Sequence, residues 1–90
     1  MKLTIKAQPK YKIKEAELEL KNWNLETRRY INRIVTNAQL GKTEDYILFD
    51  AMIDVLLRST TLTEEDIFKL SKSEIEYYSA QIGYEINKKK

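Results

Sequence analysis

The chain has no cysteine and no histidine. The first absence excludes disulfides and thiolate metal sites. The second removes the commonest general base and the commonest protein metal ligand. Glycine occurs only at Gly41 and Gly83, and proline only at Pro9. That leaves no glycine-rich phosphate loop, and a chain with so few breakers favours helices. Serines and threonines fall at cap-like positions, with no imidazole to activate them. No apolar stretch reaches the roughly 20 residues a membrane span needs. The opening MKLTIKAQPKYKIK lacks the continuous apolar core of a signal peptide. These absences set the expectation of a soluble, cytoplasmic protein that is not an enzyme and holds no cofactor or metal.

Ninety residues predict one domain spanning 1–90. A domain this small buries only about 60% of its unfolded surface, so association would add to a modest stability. The net charge of +2, from 16 basic and 14 acidic residues, is too balanced to imply a nucleic-acid partner by itself. The charges are unevenly spread, however. Lys2, Lys6, Lys10, Lys12 and Lys14 precede the first acid, Glu15, and the chain ends in three lysines. Lysines of this kind solubilise exposed strands and chain ends; phosphate binding is the competing reading.

What is present is a stretch of unusual apolarity. In Tyr46 to Arg58, ten of thirteen residues are apolar, and Asp50, Asp54 and Arg58 form one polar stripe at intervals of four. A helix this apolar is covered by protein on nearly every side. Two readings fit: the central helix of a small domain, or a helix part of whose surface waits for another chain.

Around it the periodicities change. Residues 2–7 alternate, with Leu3, Ile5 and Ala7 on one face, and 15–21 alternate with Ala16, Leu18 and Leu20 on one face. Both read as half-buried strands, although the glutamates and leucines of the second also suit a helix. Paired antiparallel, they would set lysines against glutamates on the solvent side, a contribution of a few tenths of a kcal/mol per pair. Residues 1–22 are therefore a β-hairpin or arm, 24–86 a helical part, and 87–90 a basic tail. Asn24 is an N-cap for a helix over 25–40 that Gly41 closes. Thr43 caps a second helix over 44–58, with Glu44 and Asp45 in the first turn. Thr63 to Asp66 is a capping-box pattern with a Leu62/Ile67 staple, opening a short helix over 64–70. Ser71 and Ser73 offer caps for a last helix over 74–86, whose core face is Ile75, Tyr78, Ser79, Ile82 and Ile86. Gly83 weakens that helix by up to about 1 kcal/mol relative to Ala. The expected fold is mainly α, about four helices with a small N-terminal β-hairpin, and the Tyr46–Arg58 helix at its centre.

Three groups of residues stand out as candidate contacts. Arg28, Arg29 and Arg33 form a basic cluster on the first helix, with Tyr30 beside them and Trp23 at its start. Arginine with aromatics stacks bases and clamps phosphates, yet protein interfaces are enriched in the same residues. Tyr77 and Tyr84, seven apart on the last helix, lie off its core stripe as a contact pair does. Asp50 and Asp54 on one helix do not supply the converging oxygens a hard metal needs; the stripe serves either solvation or partner registry.

The order of parts also resembles a known family. EAELELKNWNLETRRYI is similar to the opening of phage tail assembly chaperones and related tail accessory proteins, where a strand of alternating Glu and Leu leads through a corner to a capped, charged helix. LLRSTTLTEEDIFKLSKSEIEYYSAQI resembles their C-terminal half. These segments, residues 15–31 and 56–82, fall within a resemblance spanning 15–86, and the chain has KNWN where the family's corner often carries proline. The resemblance implies a non-enzymatic role in tail building: binding the helical tape-measure protein, self-association, and a location in the host cytoplasm. The function expected is therefore protein binding through Trp23, Arg29, Tyr30, Arg33, Tyr77 and Tyr84. The alternative is a small nucleic-acid-binding regulator using the basic N-terminal arm and the first-helix arginines.

Overall fold

Two short strands open the chain because their alternation leaves one apolar and one charged face. In the computed structural model, which describes residues 2–87, β1 (Lys2–Ile5) pairs antiparallel with β2 (Ala16–Glu19). The register sets Leu3 opposite Leu18 and Ile5 opposite Ala16, and puts Lys2 opposite Glu19 on the outer side. Ile5 and Leu18 are buried. Ala7, expected to continue the inward face, lies beyond the end of β1 and is exposed. A 3-10 turn at Pro9–Tyr11 and a left-handed Lys12 reverse the chain there, and Ile13 then plugs back into the core.

Four helices follow: α1 (Leu25–Gln39), α2 (Asp45–Ser59), α3 (Glu64–Phe68) and α4 (Lys72–Asn87). Most of their ends carry the expected caps. The Asn24 side chain accepts from the Thr27 N–H at 2.9 Å, a contact whose loss typically costs about 1 kcal/mol. Gly41, at φ +69°, closes α1; its N–H donates to Ala38 O and the Lys42 N–H to Asn37 O, the paired bonds of a Schellman end. Thr63 and Asp66 exchange hydrogen bonds across the first turn of α3. Of the two serines offered as caps for α4, Ser71 takes the role: it accepts from the Glu74 N–H while Glu74 accepts from the Ser71 N–H. Ser73 lies inside the helix, which begins two residues earlier than expected. The second helix departs from the expectation. Its N-cap is Glu44, with no side-chain hydrogen bond, and Thr43 lies one residue too early to reach the orphan N–H groups.

A seam ties the hairpin to the helices. The Lys21 N–H donates to Ser59 O at 2.8 Å and the Thr61 N–H donates to Glu19 O at 3.1 Å. Between them Leu20 bridges Thr60. Thr60 is fully buried; its hydroxyl donates to Leu56 O and accepts from the Leu62 N–H. The Ser59-Thr60-Thr61 break thus does more than end α2, because it extends the edge of β2.

The core runs from Ile5, Ile13, Leu18 and Leu20 through Ile31, Val55, Leu56 and Ile67 to Ile75, Tyr78 and Ile82. The central element is α4 rather than α2. It packs against α1, α2 and β1, whereas α2 meets α1 and α4 and leaves much of its length half-covered. Apolarity misled here: α2 is apolar on three sides, but only α1 and α4 pack closely along it. The core face expected for α4 is correct, with Ile75, Tyr78, Ser79 and Ile82 buried and Ile86 half-buried. The expected basic tail lies, from residue 88 onward, outside the described residues. No described helix is long and apolar enough to cross a membrane.

Gly83 sits where α4 meets α1. A Cβ there would stand 3.0 Å from Val35 Cγ2, so the residue allows the two helices to approach. Gly83→Leu is expected to destabilise the fold by about 1–3 kcal/mol through overpacking, despite its better helix propensity. Urea unfolding measures this, and an unchanged or raised midpoint would show that the interface has room to spare.

Candidate binding surfaces

On α1, Arg29 and Arg33 are one turn apart and both point outward, because Ile31 and Ile34 take the buried stripe. With Tyr30, Leu25 and Glu26 they line a cleft of about 620 Å³ whose far wall is Arg58 of α2. Arg28, grouped with them by sequence, is turned inward; it is half-buried and absent from the cleft wall. No residue before Leu25 lines this cleft, so the N-terminal lysines do not extend it.

The cleft is organised by one carboxylate. Asp54 Oδ2 accepts from Arg58 Nε at 2.8 Å and also from the Tyr30 hydroxyl. The Arg58 guanidinium lies over the Tyr30 ring, 4.4 Å from its centroid. Two of the three polar residues of the α2 stripe therefore engage Tyr30 of α1, whereas Asp50, also exposed, does not take part. Both members of the Asp54–Arg58 pair are more than a third exposed at their side chains, so the pair is worth only about 0.3–0.5 kcal/mol. Its effect is positional: it fixes where the guanidinium lies. Burial raises the Tyr30 pKa above the usual tyrosine value, and the hydrogen bond and charge of Asp54 raise it further, while Arg58 opposes both.

A second surface is apolar. Phe49, Ile53 and Leu57, four apart along one side of α2, face Ile67, Phe68 and Leu70 around α3 and Ile75 of α4. They enclose a groove of about 350 Å³ with Glu64 and Lys72 among its lining; the Lys72 ammonium sits 5.9 Å from the Phe49 ring centroid. Phe68 is 84% exposed. On the opposite side of α2, Leu48, Met52 and Val55 line a smaller apolar crevice against α1 and α4. Leu40, Tyr46 and Ile47, around the α1–α2 turn, add exposed apolar surface.

Of the six residues singled out in sequence, Arg29, Tyr30 and Arg33 share one cleft. Trp23 lies at the corner before α1, half-buried against the core. Tyr77 is half-buried and lines a shallow recess with Tyr11 and Ile13, whereas Tyr84 is 66% exposed. The two tyrosines therefore do not form an equivalent pair. Phe68 is a surface feature that sequence reasoning passed over, and Arg58 was read only as part of the α2 stripe, not as a wall of the α1 cleft. The Asp54–Arg58 spacing signals an intrahelical pair but not the Tyr30 ring beneath it. In the five-residue α3, Ile67 is buried and Phe68, about a hundred degrees around the helix, points outward.

No protein-family model, no curated protein and no solved structure matches this chain. The site is therefore read from its own chemistry. Among the described residues no group of three or more carboxylates converges as a metal site would require. The surfaces offer oriented cations and apolar walls.

Alkaline titration tests the Tyr30–Asp54 contact. Tyr30 and Tyr78 both have raised pKa values, Tyr78 through burial and then the charge of Glu74. The folded chain holds these protons where the unfolded chain, with tyrosines near about 10, has begun to release them. Stability from this source is full below about pH 10 and falls as pH rises through the folded values. Asp54→Asn should bring the ionisation of Tyr30 down, because two of its raising influences go, and leave that of Tyr78 in place. Tyrosinate absorbance reads both; an unshifted curve in Asp54→Asn would remove Asp54 from this role.

Proposed function

We propose that this chain is a non-enzymatic binding protein that takes apolar helix faces into the groove between α2, α3 and α4. The observation that carries this reading is the open groove itself, apolar along its floor and flanked by a phenyl ring, Phe68, that the fold leaves 84% exposed. An aromatic in that position costs solubility and contributes little to the core, and a contiguous apolar patch beside it marks an interaction site. An amphipathic helix with apolar residues at intervals of three and four fits such a groove.

The resemblance of residues 15–86 to tail assembly chaperones supplies the most specific version. On that reading the partner is a long helical tape-measure protein, the chain also associates with itself, and both act in the host cytoplasm. Shielding apolar helix faces until they are assembled is a task that needs neither a nucleophile nor a metal, and an open apolar groove suits it. The nucleic-acid alternative gains no single surface: the N-terminal lysines and the first-helix arginines do not line a common cleft.

Phe68→Ser provides the test. Because the ring is so exposed, the substitution is expected to change stability by less than about 0.5 kcal/mol. It should shift the sedimentation distribution of the isolated chain toward the monomer. It should also weaken co-purification with a co-expressed tape-measure protein. Tyr84→Ser is the companion variant, since Tyr77 takes part in the core and would confound the reading. Unchanged sedimentation together with unchanged co-purification in Phe68→Ser would overturn the groove as the docking surface.

A further inference from the structure

We propose that the cleft between the start of α1 and the end of α2 binds side-chain carboxylates of an acidic protein segment, with Arg58 as the oriented fork. The proposal rests on the reading of this chain as a protein-binding protein, and it assigns a second contact with a stated chemistry.

The argument begins with how Arg58 is held. Its Nε edge is anchored to Asp54 Oδ2 at 2.8 Å, and its plane lies over the Tyr30 ring. Tyr30 is itself fastened to the same carboxylate oxygen. Two contacts on its own chain thus restrain the guanidinium, while its two terminal amino groups make no hydrogen bond among the described residues. A free surface arginine gives up about 2 kcal/mol of side-chain entropy when it is immobilised. Here much of that ordering precedes binding, which is the condition under which a bidentate arginine–carboxylate contact gains most.

Arg29 and Arg33 face the same space from α1, exposed and with no ion pair among the described residues. Three arginines against Glu26 and Asp54 leave an excess of one positive charge in and behind the cleft. That excess suits one or two carboxylates. It does not suit a nucleic-acid strand, whose affinity comes from a track of neutralised phosphates, and no lysine of the N-terminal segment lines the cleft to continue such a track. Leu25, exposed at the same cleft, offers an apolar contact beside the cations. The ligand this chemistry recognises is therefore a peptide segment with glutamate or aspartate next to an aliphatic side chain.

The test titrates the intact, isotope-labelled chain at low salt with a blocked peptide of alternating glutamate and leucine. Its glutamine counterpart and a single-stranded oligothymidylate serve as controls. Amide resonances of residues 25–33 and of Arg58 should move with the acidic peptide and stay still with the glutamine peptide. Arg58→Lys, which keeps the charge but loses the planar fork, should weaken binding by about tenfold, as should Arg33→Glu at its exposed helical position. Phe68→Ser should leave the titration unchanged, so failure of the groove and failure of the cleft are read separately. No shift at the lowest salt, full binding by Arg58→Lys, or tighter binding of the oligothymidylate would each overturn the proposal.

Discussion

The fold depends on α4 closing over everything that precedes it. Helices α1 and α2 share an interface, and the hairpin is stitched to the end of α2 through Ser59, Thr60 and Thr61. Without α4, however, the inner faces of α1, α2 and β1 have no common lid. Ile75, Tyr78 and Ile82 supply that lid at a single-layer core. Gly83 completes it, since a Cβ there would stand 3.0 Å from Val35 Cγ2 and press α1 away. Because α4 is the last element and β1 the first, the decisive contacts join the two ends of the chain. Such contacts carry a large loop-closure entropy, so the local caps at Asn24, Thr63 and Ser71 matter: they lower the cost of forming helices that tertiary packing rewards only late.

This arrangement also accounts for what could and could not be read from the residues. Most helix ends were legible because caps are local chemistry; Asn24, the Thr63–Asp66 box and the Ser71–Glu74 box rest on a spacing of three, and Gly41 on its freedom to turn left-handed, whereas the cap expected at Thr43 is absent. The hairpin was legible because a period of two, with lysines in one run and glutamates in the other, has few alternatives. The buried face of α4 followed from its period in the same way. Coverage of a helix is different, because it depends on how many neighbours exist. The apolar run of α2 predicted burial on nearly every side, and a ninety-residue chain did not have enough elements to provide it. The same limit explains the tyrosines. Tyr77 and Tyr84 share a face by sequence, yet the hairpin reaches only one of them. Tyr30 appeared as a surface aromatic beside arginines because nothing local reveals that Asp54, twenty-four residues away, ties down its hydroxyl.

The consequence of incomplete coverage is that α2 separates surfaces of opposite character. Phe49, Ile53 and Leu57 open onto the apolar groove, while Asp54 and Arg58 turn toward α1 and organise the arginine cleft. A helix bearing only apolar residues would offer unselective grease on both sides. The charged stripe divides it, so a partner in contact with both surfaces must present an apolar face and an acidic segment in a fixed relation. Charges that contribute almost nothing to stability can in this way carry specificity, since a partner lacking the acid leaves the arginines unmatched.

On the proposed function, marginal stability becomes part of the binding behaviour. A ligand that engages only the folded chain adds stability in proportion to its saturation, about 2.7 kcal/mol when present at a hundred times its dissociation constant. For a domain of this size that is a large share of the whole. The surfaces left open by a thin core are those whose coverage would tighten it most: the groove borders α3, the shortest helix, and the cleft borders the Tyr30–Asp54 link between α1 and α2. Docking on the proposed surfaces would therefore add contacts to α3 and to the Tyr30–Asp54 link, which the chain's own packing leaves open to solvent.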